Sequence, residues 1–261
     1  MKYLGGKSRI APWLVAAIRP HLRGRAFWDP FCGGLSVARA LSAVAGGGLV
    51  SDANPALIAL YKAVAGGWQP PSSATETEYH AAKALPDSNP LKAYIGFGSS
   101  FGAKWFGGYA RSTNARGDPR NYLLETRNGL LDEVGELVSR GCEFACLNFL
   151  AIEPRPVTMV LYLDPPYAGT EPYGALPAFD HALFIRRVAE WSKYTDVFIS
   201  EYEMPIGRCV LEFGHALQIA GGQRPNERTE RLYHLALGSC ECIPIAPCLP
   251  QTRTLRLLDA E

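Results

Sequence analysis

The chain has 261 residues, of which 48% are hydrophobic and 20% charged, and its formal net charge is +1. This is the composition of an ordinary globular protein, long enough for one large core and an accessory lobe. The balanced charge does not itself indicate a polyanionic partner, although a basic groove can lie within a balanced total. No run of eighteen apolar residues is present, and MKYLGGKSRI has no apolar h-region, so neither a transmembrane helix nor a signal peptide is expected.

The cysteine pattern favours reduced thiols in a cytoplasm. The seven cysteines are odd in number and scattered along a chain that is long enough to fold without disulfide bonds. Cys240, Cys242 and Cys248 form a cluster, but they lack the paired CxxC spacing of structural zinc sites. Plain thiols are therefore preferred here, and no metal site is predicted.

The first seventy residues alternate between helical and strand patterns. Apolar residues recur at helical spacing from Ile10 to Leu22, which predicts an amphipathic helix. AFWDPFCGG is a short apolar strand that ends in an acid and glycines, and LSVARALSAV then predicts a helix. GGLVSDANPALIALYKAVAGG repeats this order, and its helix ends at Gly66 and Gly67. Such an alternation is typical of a doubly wound α/β sheet.

The middle of the chain has a different composition. Residues 68–92 are rich in Pro, Ser and Thr, which predicts a connection or a short helix between lobes. Residues 93–120 contain six glycines and six aromatic residues, with several basic residues and no helical or strand period. We interpret them as poor core material that forms a surface for a flat, negatively charged partner.

The remaining segments continue the alternation. NYLLETRNGLLDEVGELVSRG predicts a helix, and CEFACLNFL, MVLYLDPPY and DVFISEYE predict three strands. FDHALFIRRVAEWSKY, between the last two strands, predicts a helix, and ERLYHLAL predicts a final strand.

Acidic residues end three of the predicted strands, namely Asp29, Asp52 and Asp164. Open parallel sheets bind their ligands at the carboxyl ends of strands, near the switch in strand order. Gly33 and Gly34 follow the first acid, where a tight turn lets a ligand approach the backbone. These positions are therefore the candidate ligand site.

The glycine turn favours a nucleoside-type cofactor without a pyrophosphate. The spacing from Gly34 to Asp52 is typical of a ribose-binding acid, but DPFCGGLS lacks the GxGxxG pattern of dinucleotide folds. LGGKS at residues 4–8 is not a phosphate-binding P-loop, because the required first glycine and the preceding strand are both missing.

LYLDPPYAG at residues 161–169 holds the most informative acid. A strand-end carboxylate followed by two prolines has little structural purpose, so we assign a functional role to Asp164.

Four blocks in order, KYLGGKSRIAPWL, WDPFCGGLSVA, SDANPALIALY and LYLDPPY, resemble the Dam-like, or D12 class, adenine-specific DNA methyltransferases over nearly the whole chain. FGSSFGAKWFGGYAR and VFISEYEMP resemble the bacteriophage and prophage members. The resemblance implies S-adenosylmethionine as methyl donor and an adenine in DNA as acceptor. It also implies which residues form the site. The cofactor is contacted by Tyr3 and Lys7, its methionine moiety by Asp29, Pro30, Phe31, Gly33 and Gly34, and its ribose by Asp52, with Asn54 beside it. The catalytic block is Asp164, Pro165, Pro166 and Tyr167, and its acid also lies at the cofactor.

The resemblance further implies how this block acts. The exocyclic amine of adenine is a poor nucleophile, and Asp164 together with the carbonyl of Pro165 would accept its two N–H groups. The prolines restrict the backbone and preorganise these acceptors. Tyr167 would stack on a target base that has left the duplex, and neither a metal nor a covalent intermediate is required.

The sequence leaves several of these roles open. Asp52 or Asn54 could simply cap the following helix, Tyr3 could only pack, and Lys7 could be a solvated surface lysine. Two departures from the family also stand out. Leu35 replaces a third glycine found in many relatives and is expected to be the first helical residue, and Asn148 stands where relatives often have an acid.

Basic and aromatic residues in two segments are candidate DNA contacts. The first segment, residues 97–120, could alternatively be a disordered loop, and the second, GGQRPNERTERLY, a solvated face. The predicted phosphate contacts of the first segment are Lys104, Arg111, Arg116 and Arg120. Trp105 and Phe106 would lie in or beside a DNA groove. The basic residues of the second segment are Arg224, Arg228 and Arg231.

We therefore expect a doubly wound, Rossmann-like S-adenosylmethionine-dependent methyltransferase domain formed by residues 1–66 and 136–261, with residues 67–135 inserted as a small target-recognition lobe. The expected protein is a monomer in a bacterial cytoplasm, encoded by a phage or prophage and serving in modification against restriction. Alternatives are an RNA adenine or DNA cytosine amino-methyltransferase and, in another class, a catalytically inactive DNA-binding module.

Overall fold

One mixed sheet organises the protein. The computed structural model describes residue 3 and residues 5–113, 117, 119–151, 158–167, 179–215 and 228–238. In these ranges the strands are β1 (Ala26–Asp29), β2 (Gly48–Asp52), β3 (Cys142–Cys146), β4 (Met159–Leu163), β5 (Val197–Glu201), β6 (Arg208–His215) and β7 (Arg228–Leu235). The helices are α1 (Ala11–Leu22), α2 (Ser36–Ser42), α3 (Pro55–Ala65), α4 (Glu76–Ala82), α5 (Pro90–Gly98), α6 (Tyr122–Ser139) and α7 (His181–Trp191).

The strand order is β3-β2-β1-β4-β5-β7-β6, which confirms the predicted doubly wound α/β fold. The strands from β3 to β5 in this order are parallel, whereas β7 runs antiparallel to both β5 and β6. The order reverses between β1 and β4, where Trp28 pairs with Leu161. The carboxyl ends of these two strands are therefore neighbours at the switch point, where β1 ends in Asp29 and Asp164 follows β4.

The central strands are buried on both faces, as a parallel sheet covered by helices requires. Along β4, Val160 and Tyr162 join one hydrophobic cluster, while Leu161 and Leu163 join the cluster on the opposite face. This alternation explains why the strand reads as a continuous apolar run and ends sharply at Asp164, the first polar position.

The interpretation of residues 93–120 as poor core material is wrong for their first part. Helix α5 begins at the Asn89 cap, whose side chain accepts from the N–H of Leu91 at 3.0 Å, and it buries Tyr94 in the main core. Glycines hid this helix in the sequence. A Cβ at Gly96 would lie 2.7 Å from the ring of Phe106, so close aromatic packing explains that glycine.

The predicted short helix within residues 68–92 is confirmed by α4. Thr75 and Glu78 form a capping box, each side chain bonding the other's backbone N–H. Both α4 and α5 contribute to the core cluster that also contains α1, α2 and α3. The division into a catalytic domain and an inserted lobe stays a prediction.

Strand β6 has no counterpart among the predicted elements. It pairs with β7 at the edge of the sheet and contains a register shift between Cys209 and Leu211. That irregularity interrupts the period of two on which strand prediction depends.

In the described ranges, every helix is too short or too polar to span a membrane.

Candidate active site

Asp29 lies at the switch point, at the end of β1. Its side chain is buried, and Oδ1 accepts from the backbone N–H of Phe31 at 3.3 Å. Burial, reinforced by the nearby Asp164 carboxylate, raises the pKa of Asp29 well above its ordinary value. Ionisation of Asp29 would therefore be stabilised by a cationic ligand.

The glycine turn after β1 is held by contacts from three directions. The N–H of Gly33 donates to Asp52 Oδ2 at 3.1 Å, and the hydroxyl of Tyr61 donates to the Gly33 carbonyl at 2.5 Å. Gly33 has a φ of +42°, and a Cβ there would lie 3.0 Å from the ring of Tyr3. Glycine is thus required both by the backbone conformation and by the close approach of that ring.

Leu35 is not the first helical residue. It precedes α2 as its N-cap, with a left-handed φ of 68°, and the helix begins at Ser36. The third glycine of many relatives suits such a conformation, whereas a leucine adopts it at a cost. Here the Leu35 side chain is fully buried in the core, and that burial offsets the backbone strain.

Asp52 and Asn54 have different roles after β2. The side chain of Asn54 accepts from Ala56 and Leu57 and caps α3, so the capping alternative holds for Asn54 and is wrong for Asp52. Asp52 Oδ1 instead accepts from the N–H of Asn54 at 2.9 Å, while its other oxygen binds the glycine turn. Burial raises the pKa of Asp52 to about 6.

Lys7 is not a solvated surface lysine, because its side chain is only 9% exposed. Its Nζ lies 3.0 Å from Asp164 Oδ1 and 3.3 Å from Glu230 Oε1. Burial lowers the pKa of Lys7, but the two carboxylates more than compensate and hold it above its ordinary value. The same ammonium lies 4.7 Å from the ring centroid of Tyr167, a cation–π distance.

Asp164 and Tyr167, the two ends of the DPPY segment, both contact Lys7. Burial raises the pKa of Asp164 even though the Lys7 ammonium lies beside it. The hydroxyl of Tyr167 donates to Glu230 Oε1 at 2.9 Å, and its ring packs edge-on against Tyr202 with centroids 4.6 Å apart. The Tyr167 ring is therefore fixed at both its edge and its hydroxyl.

Glu230 is the site residue that the sequence analysis missed. It lies in β7, is 7% exposed and binds both Lys7 and Tyr167. A glutamate within the apolar pattern ERLYHLAL was the available indication, since buried carboxylates are rare without a partner.

Charge and shape at this point are consistent with a cationic ligand. In the described part of the site, the Asp164 and Glu230 carboxylates lie within 3.3 Å of the Lys7 ammonium. Two further carboxylates, those of Asp29 and Asp52, end the strands β1 and β2. An apolar wall adjoins them, in which the Phe31 ring lies 5.9 Å from Phe184 and 6.1 Å from Phe149.

Tyr3 packs beside the glycine turn. Its ring centroid lies 4.9 Å from that of Phe97. It also lines a cavity of about 350 Å³ between the N-terminal segment and α6, together with Ser36 and Glu133.

Asn148 has a local role, since its Oδ1 accepts from the N–H of Leu150 at 2.9 Å.

The predicted DNA contacts lie in different environments. Lys104 is exposed, whereas Trp105 and Phe106 are half-buried and pack beside Phe97 and Tyr79. Their role at DNA stays a prediction.

The arginines among these contacts are already engaged where they are described. Arg111 pairs with Glu76 at 2.5 Å, Arg120 pairs with Glu125 at 2.6 Å, and Arg231 pairs with Glu212 at 2.8 Å. Outside the described residues or side chains lie Arg116, Arg224, the side chain of Arg228, Cys240, Cys242 and Cys248.

The N-terminal part of the site is similar in sequence to a known protein family. Residues 3–95 match the D12 class of N6 adenine-specific DNA methyltransferases. The match includes Tyr3, Lys7, the glycine turn and Asp52, and it ends before the DPPY segment. It therefore supports the resemblance for the first half of the site. No curated protein matches the chain.

Solved structures of methyltransferases resemble the chain at low identity. The Escherichia coli protein yhhF, described as a methyltransferase, has 13% identity and a TM-score of 0.39, over 87% of this chain and 86% of that chain. The 23S rRNA methyltransferase ErmE has 10% identity and a TM-score of 0.40, over 90% and 71%. A tRNA methyltransferase from Aquifex aeolicus has 8% identity and a TM-score of 0.37, over 90% and 70%.

Proposed function

We propose that the protein transfers a methyl group from S-adenosylmethionine to the exocyclic amino group of adenine in DNA. The observation that carries this proposal is the position of Asp164. It follows β4 directly, at the switch point beside Asp29, and is held by Lys7 next to an aromatic ring. The match of residues 3–95 to D12 class enzymes supports the choice of reaction.

The residues present fit the proposed cofactor. Asp52 offers carboxylate oxygens to ribose hydroxyls, and the Gly33 turn leaves room for close approach to the backbone. The excess of carboxylates over the Lys7 ammonium suits the positive charges of a sulfonium and an α-amino group. When bound, S-adenosylmethionine supplies the methyl group.

The chain's own residues would then orient the acceptor. Asp164, with the carbonyl of Pro165, accepts the N–H groups of the target amine and directs its lone pair towards the methyl group. Tyr167 presents a fixed ring on which a base can stack after it has left the duplex. The methylated amine releases its extra proton afterwards, and Asp164, whose pKa is raised, is positioned to accept it.

The wider assignment follows from the same resemblance. We propose that residues 67–135 recognise the DNA, with Lys104 among the phosphate contacts, and that the enzyme acts as a monomer in a cytoplasm. A role in modification against restriction, in a phage or prophage, is part of the proposal and rests on the resemblance alone.

Substitution of Asp164 tests the proposed mechanism. We expect Asp164→Asn to lower methyl transfer to DNA about 100- to 1,000-fold, because the amide cannot provide a charged acceptor at the same position. Labelled S-adenosylmethionine measures the transfer, and calorimetry measures cofactor affinity in parallel. Asp180→Asn is the matched control, since Asp180 caps α7 and asparagine can keep that cap. Undiminished transfer by Asp164→Asn would contradict the mechanism, and DNA binding without any transfer by the wild type would favour an inactive binding module.

A further inference from the structure

Glu230 joins the site from a distant part of the chain. Its carboxylate is separated from Tyr167 by 63 residues and comes from the antiparallel strand β7. One oxygen, Oε1, accepts the Tyr167 hydroxyl at 2.9 Å and lies 3.3 Å from the Lys7 ammonium. The two groups that flank Asp164 thus share a second carboxylate.

This arrangement addresses a conflict within the proposed reaction. The Lys7 ammonium lies 3.0 Å from Asp164 Oδ1 and neutralises much of its negative charge, so the carboxylate is a weaker acceptor for the target amine while this pair stays closed. If Lys7 had no second partner, its release from Asp164 would leave a buried ammonium without a carboxylate, which is strongly unfavourable. Glu230 is already within 3.3 Å, so a small movement of Lys7 keeps it paired.

We propose that Glu230 is a positioning residue that takes over Lys7 from Asp164 when the target base enters and that holds the Tyr167 ring through its hydroxyl. This proposal rests on the proposed function. Glu230 acts through Lys7 and Tyr167 and need not touch the substrate.

The charges around Asp164 set the pH at which the acid limb of the kcat/KM profile falls. A purely structural role of Glu230 would leave this limb in place. Asp164 is faced by Lys7 from the N-terminal segment, by Glu230 from β7, by Asp29 from β1, and by the hydroxyls of Tyr162 and Tyr167. Lys7 lowers the pKa of Asp164, whereas the negative charge of Glu230 raises it. Removal of the Glu230 charge should therefore move the acid limb of the kcat/KM profile to lower pH.

Glu230→Gln is the first variant to test. We expect kcat for DNA methylation to fall about 10- to 100-fold, because Lys7 stays on Asp164 and competes with the target amine. The acid limb should move to lower pH, and the calorimetric Kd for S-adenosylmethionine should stay within about threefold, since Glu230 is assigned to the base and not to the cofactor. Glu143→Gln, at an exposed glutamate of the edge strand β3, is the matched control and should leave kcat and the acid limb unchanged.

Two further variants separate the roles. Tyr167→Phe removes the hydroxyl, which holds the ring on Glu230 and lowers the pKa of Asp164, so kcat should fall while the acid limb moves the other way, to higher pH. Glu230→Asp keeps the negative charge and should retain the acid limb of the wild-type kcat/KM profile. This variant also keeps the proposal testable if Glu230→Gln fails to fold.

Unchanged kcat in Glu230→Gln, or a lower kcat with an unmoved acid limb, would overturn the role assigned to Glu230. Failure of the proposed function gives a different result, namely a wild type that binds S-adenosylmethionine and transfers no methyl group to DNA.

Discussion

At the scale of single residues, Asp52 is a carboxylate whose two oxygens already bind backbone N–H groups. It links the loop after β2 to the glycine turn after β1. A carboxylate oxygen can accept more than one hydrogen bond, so Asp52 can hold this turn and still accept from a ribose hydroxyl. Its pKa of about 6 makes this second role depend on pH.

We predict that the affinity for S-adenosylmethionine rises about tenfold between pH 5 and pH 7. Below its pKa of about 6 the Asp52 carboxyl is mostly protonated and accepts poorly, and above it the ionised form accepts well. Calorimetry across this range measures the effect. Asp52→Asn should weaken binding and flatten this part of the profile, whereas Asp180→Asn should keep it. A pH-independent wild-type affinity would contradict the assignment of Asp52 to the ribose.

At the scale of elements, a polar cluster joins α1, β1, β5 and β7 at the end of the sheet opposite the site. Asp196, just before β5, accepts from Arg25 Nη2 at 2.6 Å and lies 3.0 Å from His234 Nε2. His21 Nδ1 lies 3.4 Å from the same carboxylate. Burial raises the pKa of Asp196, but the bonds from His234 and Arg25 lower it by more, so the net pKa is well below its ordinary value.

We predict that Asp196→Asn lowers the free energy of unfolding by about 3 kcal/mol at pH 7, because it leaves Arg25 partly buried without its carboxylate. A carboxyl with a depressed folded-state pKa stabilises above its unfolded pKa of about 3.9, and this stability is lost as the pH falls further. The difference between variant and wild type should therefore shrink below about pH 4. Urea unfolding measures it, with Asp87→Asn in the exposed Lys92 pair as control. Equal stabilities at pH 7 would contradict the role of the cluster.

Local patterns predicted the elements that carry the first acids of the site. AFWD and MVLYL are the short apolar strands β1 and β4, which form the central pair of the sheet. The first ends in an acid, and an acid follows the second directly. Helix α5 and strand β6 were missed because glycines and a register shift break the periodicity on which prediction depends.

The burial of Lys7 and the contribution of Glu230 could not be predicted for a different reason. Both depend on β7 returning beside β5, a pairing across the sheet that no local pattern contains. The resemblance indicated Lys7 as a cofactor residue, but only the fold brings it to Asp164.

At the scale of the whole molecule, the near-neutral charge of +1 implies that the proposed DNA binding would depend on a few local cations. Arg111 and Arg120 are already paired with Glu76 and Glu125. A phosphate must compete with those carboxylates, whereas the Lys104 side chain is exposed and can meet a phosphate directly.

We predict that Lys104→Ala reduces the slope of log affinity against log salt concentration by about 0.9, the value for one phosphate contact. Arg120→Ala should have a smaller effect, because Arg120 first has to leave Glu125. Fluorescence anisotropy with a DNA duplex between about 50 and 200 mM salt measures the slopes. Lys193→Ala is the control, since Lys193 is exposed in the connection between α7 and β5. An unchanged slope in Lys104→Ala would remove Lys104 from the DNA-binding surface.

The most direct test of the central claim is the identity of the methylated base. The protein is incubated with labelled S-adenosylmethionine and either unmethylated bacterial DNA or RNA, and the products are digested to nucleosides and separated. Our account predicts label in the amino group of adenine from DNA, and its loss in Asp164→Asn. Label in cytosine or in RNA would contradict the assignment of adenine in DNA as the methyl acceptor. No label in any nucleic acid, despite measured cofactor binding, would contradict the proposed activity.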